Sequence, residues 1–141
     1  MTNGIQRGLK SIVEVKNAVP GLNITSNRIE HILHGTGGTG LHHISGLAKD
    51  PSKLVTRYFP KDGKGLYKVE WNGKISTMFP DNMNEVQVMK FIESVYNNPT
   101  RTFTRGGRTF LEGIPSGKNF KVEIEVDGNN AILSGYPLFG S

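Results

Sequence analysis

One dipeptide, Asn72-Gly73, constrains this chain more than any other feature. It lies between residues 66–71 and 74–79, two stretches in which apolar and polar residues alternate. Alternation at period two marks a strand with one buried face. An Asn-Gly pair between two such runs supplies the positive φ angles of a type I′ turn, whose twist matches that of the paired strands. An antiparallel hairpin is therefore predicted here, ended by Pro80-Asp81-Asn82.

The segments before and after the hairpin have different periods. Ile5, Leu9, Ile12, Val13 and Val15 predict an amphipathic helix over 5–18, stopped by Pro20-Gly21. A second helix is predicted to start near Thr25-Ser26-Asn27. Asn27 and Glu30 have capping-box spacing, and Gly35 is the C-terminal stop. Residues 54–59 read as a strand. Val86, Met89, Ile92, Val95 and Tyr96 predict a helix over 84–97, ended before Pro99. Residues 102–104 and 108–111 then flank the turn Arg105-Gly106-Gly107, and 120–126 and 131–136 flank Asp127-Gly128-Asn129-Asn130. Helices first and strands later predict an α+β fold, N-terminal helices followed by an antiparallel sheet. There is no internal repeat. Residues 1–24 read as an N-terminal helical element and 25–141 as the main unit, together one compact domain. Tyr96, Trp71 and Phe91 are assigned to the core.

Composition narrows the function. With 141 residues the chain suits a single core. No apolar run approaches the ~20 residues of a membrane span, and residues 1–10 lack a signal-peptide core. Membrane insertion by this domain is not expected, and any export would be directed from outside it. The net charge of +5 suits a polyanionic partner. The absence of cysteine excludes disulfides and Cys-based zinc sites.

All four histidines, His31, His34, His42 and His43, lie within thirteen positions around a glycine-rich stretch. Imidazole titrates near neutrality, so such a cluster points to proton transfer or metal binding. Gly35-Thr36-Gly37-Gly38-Thr39-Gly40 matches G-x-G-x-x-G in letters only. A dinucleotide site needs a strand before it and a helix after it, whereas here a helix precedes and a strand is expected to follow. The glycines therefore read as a flexible turn. A metal hydrolase is one alternative for the cluster, but no H-E-x-x-H pattern is present, and a zinc site would need a fourth ligand that the pattern does not specify. If His42 and His43 follow one another along an extended segment, they face opposite ways, and only one can join a given site. The segment Arg105-Gly106-Gly107-Arg108 reads as a hairpin turn with basic shoulders rather than a free RNA-binding tail.

RNA cleavage needs no more than these residues. One imidazole can take the ribose 2′-OH proton, and a second can protonate the leaving 5′-oxygen. A lysine can stabilise the charged transition state. Glu30-His31-Ile32-Leu33-His34-Gly35, followed by Gly40-Leu41-His42, resembles the first two motifs of the EndoU ribonucleases. Lys74-Ile75-Ser76-Thr77-Met78-Phe79-Pro80 resembles the third, and Gly135-Tyr136-Pro137 the fourth. The four stand in family order over residues 28–138, and their wording is most similar to the bacterial branch.

The resemblance implies the α+β nuclease fold shared by barnase, EndoU, the nuclease colicins and RelE. It implies a metal-independent toxin endoribonuclease that leaves 2′,3′-cyclic phosphate and 5′-OH ends, without a cofactor. His31 and His42 become the acid–base pair, with His42 favoured as base and the order open. Lys74 becomes the phosphate-neutralising cation, with Lys49 as a substitute. Thr77 is the candidate base reader, with Ser76 in reserve, and Tyr136 the ring that stacks on a base. His34 and His43 are neighbours of the pair. The resemblance further implies single-stranded RNA, tRNA in particular, as substrate. It also implies an acidic immunity protein as partner, and delivery within a larger secreted or surface toxin that acts in a target-cell cytoplasm. A non-catalytic RNA-binding module is the other alternative.

Overall fold

The computed structural model describes residues 10–49 and 55–141. Positions 5–9 of the first predicted helix and Leu54 lie outside them. Helix α1 spans Ile12–Ala18. It begins at a reciprocal capping box, in which Ser11 Oγ accepts from the Glu14 N–H and Glu14 Oε1 accepts from the Ser11 N–H. Helix α2 spans Ser26–His34, with the Thr25 side chain accepting from the Arg28 N–H. The expected Asn27–Glu30 capping box is thus replaced by a start two residues earlier. Three adjacent residues, Thr25 to Asn27, can all cap; Thr25 does so, and the helix it starts buries Ile29, Ile32 and Leu33 fully on one face. A short helix α3, Ser45–Lys49, follows the glycine stretch where a strand was expected. Helix α4, Glu85–Asn97, is capped reciprocally by Asn84 and Gln87 and buries Val88, Met89, Ile92 and Val95. Each such cap contributes about 1 kcal/mol.

The strands form two antiparallel sheets instead of one. The first contains β1 (Val55–Tyr58), β2 (Tyr67–Trp71) and β3 (Lys74–Met78), in that spatial order. Asn72 and Gly73 have φ of 49° and 71°, the two positive angles of the predicted I′ turn, and Trp71 pairs with Lys74. The second contains β4 (Arg101–Arg105), β5 (Arg108–Gly113), β6 (Val122–Val126) and β7 (Ile132–Pro137), again in chain order. Gly106 and Gly107 make its first tight turn, with φ of 60° and 78°.

One apolar core joins α1, α2 and α4 to β5, β6 and β7. Val15, Val19, Leu22 and Ile24 from the first 24 residues belong to it, with Leu66, Phe79 and Phe120. A smaller cluster of Leu41, Tyr67, Val69, Trp71 and Met78 lies under the three-stranded sheet. Phe91 and Tyr96 pack partly buried against the main core. Helix α2 packs against α1, α3 and β7, and β3 approaches β7. The end of α2 therefore meets the two sheets where they come together.

Candidate active site

The site begins where α2 ends. Gly35 stops the helix, and its N–H reaches the carbonyls of Glu30 and His31. Thr36 and Thr39 then pair through both backbone groups, at 2.9 and 3.2 Å, around Gly37 and Gly38. The expected flexible turn is a closed miniature hairpin. It is tied down from outside, since Asn72 Nδ2 donates to the Gly38 carbonyl at 3.1 Å and Ser76 Oγ to the Gly40 carbonyl at 2.6 Å. Gly40 has φ of 82°, and a Cβ there would lie 2.0 Å from the His31 carbonyl oxygen. Only glycine allows that approach.

The chain leaving the turn binds the last carbonyls of α2. The Leu41 N–H donates to His31 O at 3.2 Å and the His42 N–H to Ile32 O at 2.8 Å. The His31 carbonyl thus accepts from both Gly35 and Leu41, and the Ile32 carbonyl, left over where the helix stops, takes its hydrogen from His42. The His42 carbonyl accepts in turn from the Phe79 N–H at 2.8 Å. His42 is thereby fixed between the end of α2 and the end of β3.

Its side chain is fixed as well. His42 Nδ1 lies 2.7 Å from the Thr77 carbonyl. A carbonyl only accepts, so Nδ1 carries the hydrogen. In neutral His42 the lone pair must then be on Nε2. Burial pushes the His42 pKa down to about 4; the Thr77 hydrogen bond opposes this, and the nearby His31 adds to it. His42 is therefore a neutral acceptor at pH 7. His31 is half-buried, with Nδ1 3.4 Å from Thr36 Oγ1. Burial, then Arg28, lowers its pKa below 6.5, partly countered by Glu125.

His31, His42, Lys74, Ser76, Thr77 and Tyr136 all line one cleft of about 250 Å³, with Ser134, Trp71 and the glycine hairpin. Lys74 is exposed and forms no ion pair with a described residue. Strand alternation puts Thr77 on the face of Ile75 and Ser76 on that of buried Met78. Ser76 is 6 % exposed and gives its hydroxyl to Gly40, so it braces the glycine hairpin, while Thr77 and Ser134 also line the cleft. Tyr136 packs its ring 5.4 Å from the His42 ring and donates its hydroxyl to Glu123 Oε2, which Arg105 Nη2 also holds at 2.9 Å. Burial, and then Glu123, raise the phenol pKa well above its usual range, so Tyr136 stays neutral.

The other two histidines are elsewhere. His43 is buried, with Nε2 2.5 Å from the Met83 carbonyl and Nδ1 2.7 Å from Ser45 Oγ. It is not among the residues that line the cleft, and residues 41–43 form no strand. His34 is buried on α2, with Nδ1 3.2 Å from Glu30 Oε1. Among the described residues no three or more His, Asp or Glu side chains are grouped to hold a metal. Lys49 ends α3, and its side chain is outside the described residues. Glu123 and Ser134 had no signal of their own in the sequence. Only the register of the second hairpin, Glu123 opposite Tyr136 and Glu125 opposite Ser134, brings them to the site.

Residues 25–139 match the family model described as bacterial EndoU nuclease. The chain belongs to the bacterial EndoU nucleases. That span holds the glycine hairpin, both cleft histidines, Lys74 and Tyr136. A curated protein of Bacillus cereus named "Toxin" is 32% identical over 126 residues, covering 79% of this chain and 22% of the relative. The EndoU chain thus spans about a fifth of that relative. No solved structure matches it. No helix among the described residues is long and apolar enough to cross a membrane.

Proposed function

We propose that this EndoU domain is a toxin endoribonuclease that cuts single-stranded RNA, with tRNA the expected target, by internal attack of the ribose 2′-OH. The observation that carries the reading is the convergence of His31, His42 and Lys74 on one cleft, with His42 Nδ1 committed to the Thr77 carbonyl. That commitment leaves Nε2 to take the 2′-OH proton, which favours His42 as base. His31, half-buried at the cleft edge, protonates the departing 5′-oxygen. The bond from phosphorus to the 5′-oxygen breaks as the 2′-oxygen bond forms, leaving a 2′,3′-cyclic phosphate and a 5′-OH. Lys74 offsets the charge on the phosphorane-like transition state. Tyr136 and Thr77 hold the adjoining base by stacking and hydrogen bonding. No step requires a metal or cofactor.

The relative named "Toxin" supports delivery as part of a longer protein into the cytoplasm of a target cell. The net charge of +5 supports an acidic immunity protein as the blocking partner.

Incubation with total tRNA, with and without EDTA, followed by end-group analysis, tests the reading. Cyclic-phosphate ends in both samples are expected. His42→Ala should lower the rate by about 10³-fold, within the usual range for losing a general base, while the domain stays folded. Cleavage of a substrate with a 2′-deoxy sugar at the cut site would sink the mechanism. Loss of cleavage in EDTA would favour the metal hydrolase, and salt-sensitive binding without product the non-catalytic module.

A further inference from the structure

The outer face of the four-stranded sheet continues directly from the cleft. Residues opposite each other in an antiparallel pair share a face. Tyr136 is opposite Glu123, Glu123 opposite Glu112, and Glu112 opposite Arg101. In the next row Ser134 is opposite Glu125, Glu125 opposite Phe110, and Phe110 opposite Phe103. Two cleft residues, Tyr136 and Ser134, therefore begin a surface that runs across β6 and β5 to edge strand β4. At about 4.8 Å per strand this is roughly 14 Å.

The surface has two layers. The carboxylates lie beneath, with Glu112, Glu123 and Glu125 side chains only 5–12 % exposed. The guanidiniums of Arg101, Arg105 and Arg108 lie above, 59–63 % exposed, each paired to one carboxylate. Lys121 adds a further cation over Glu112. Two phenyl rings are stacked between them, Phe103 and Phe110, with centroids 5.4 Å apart at 20°. Arg101 sits 4.2 Å above Phe103, and Arg105 4.4 Å above Phe110. A polymer laid on this face meets guanidiniums, not carboxylates. The buried acids hold the arginines in place, and each keeps N–H groups free of its carboxylate.

We propose that this arginine–phenylalanine face is a subsite for the single-stranded RNA flanking the cut. Arg101, Arg105 and Arg108 contact its phosphates, and the guanidiniums, backed by Phe103 and Phe110, serve as stacking platforms for its bases. Single-stranded RNA is held by this combination of a cationic surface and planar groups. The subsite rests on the reading of the cleft as an RNA-cutting site.

The test uses a fluorescein-labelled, fully 2′-O-methylated 12-nucleotide RNA, which cannot be cut, and the corresponding dinucleotide, which fills the cleft alone. Arg101→Gln/Phe103→Leu is the variant of choice. It changes only edge strand β4, and Glu112 keeps Lys121. Arg101→Gln alone serves if the double variant melts early. The expected result is a roughly tenfold weaker 12-mer, a shallower salt dependence, and dinucleotide affinity unchanged within about twofold. Equal 12-mer affinity in wild type and variant overturns the subsite and leaves the face to a protein partner. Parallel loss for both lengths also overturns it. Cleavage of the unmodified 12-mer by the wild-type domain is scored separately. Cleavage without the affinity difference defeats the subsite alone, and the affinity difference without cleavage defeats the proposed chemistry alone.

Discussion

The two walls of the cleft are held in different ways. On the histidine wall the fastening is main chain. Leu41 and His42 N–H groups close on the end of α2, the His42 carbonyl takes the Phe79 N–H, and the imidazole gives its Nδ1 hydrogen to a backbone carbonyl. On the tyrosine wall the fastening is side chain. Tyr136 leans on Glu123, and Glu123 on an exposed arginine from the tip of the β4–β5 hairpin. The difference matches the two tasks proposed for the walls, proton transfer and base recognition. Proton transfer tolerates little misplacement, and backbone geometry is the stiffest support a fold offers. Base recognition tolerates adjustment, and side-chain relays can adjust.

The largest way to break this comparison is Gly40→Ala. The added Cβ collides with the His31 carbonyl at a backbone angle that side chains rarely adopt. About 3 kcal/mol of stability should be lost by denaturant titration, from overpacking and left-handed strain together. Cleavage should fall about 100-fold as His31 and His42 separate. Full activity in this variant would show that the histidines do not depend on the glycine hairpin.

Next in size is acid sensitivity. His42 is buried neutral, with its pKa lowered from 6.5 to about 4. The unfolded chain takes up the proton first as pH falls, so this contribution is intact above 6.5 and is lost on going down to about 4. The full loss is about 3 kcal/mol. It should appear in urea titrations across that window and vanish in His42→Asn. The same two histidines should set the rate profile. In the proposed mechanism cleavage needs neutral His42 and protonated His31, whose pKa lies below 6.5. kcat/KM should therefore be highest on the acidic side of neutrality, above about pH 4, and decline toward alkali.

The side-chain wall should respond more mildly. Tyr136→Leu removes the ring and should raise KM about tenfold, in line with the loss of one stacked base. Tyr136→Phe keeps the ring and removes only the bond to Glu123. It should cost about 1–2 kcal/mol of stability and change KM less than threefold. A large kcat loss in Tyr136→Phe would show that the phenol takes part in the chemistry.

The parts legible in the sequence are those decided locally. The Asn72-Gly73 hairpin, the Gly106-Gly107 turn and helix α4 each carry their own turn or cap chemistry. The convergence of His31, His42, Lys74 and Tyr136 was legible only through motif resemblance. The short helix α3 was missed because five residues hold no period. The start of α2 was placed correctly, but its capping residue was not, because neighbouring residues compete to cap it. The division into two sheets was missed because strand patterns do not say which strands pair. The His42–Thr77 and Tyr136–Glu123 contacts depend on long-range register, which no local pattern encodes.

Thr77 has one further consequence. Its carbonyl accepts the Nδ1 hydrogen of His42, and in the proposed reaction its hydroxyl reads the substrate base. The first function belongs to the peptide unit and survives any replacement that keeps the strand. The second belongs to the side chain alone. On the proposed reading, position 77 is a place where nucleotide preference can change while the support of His42 is kept.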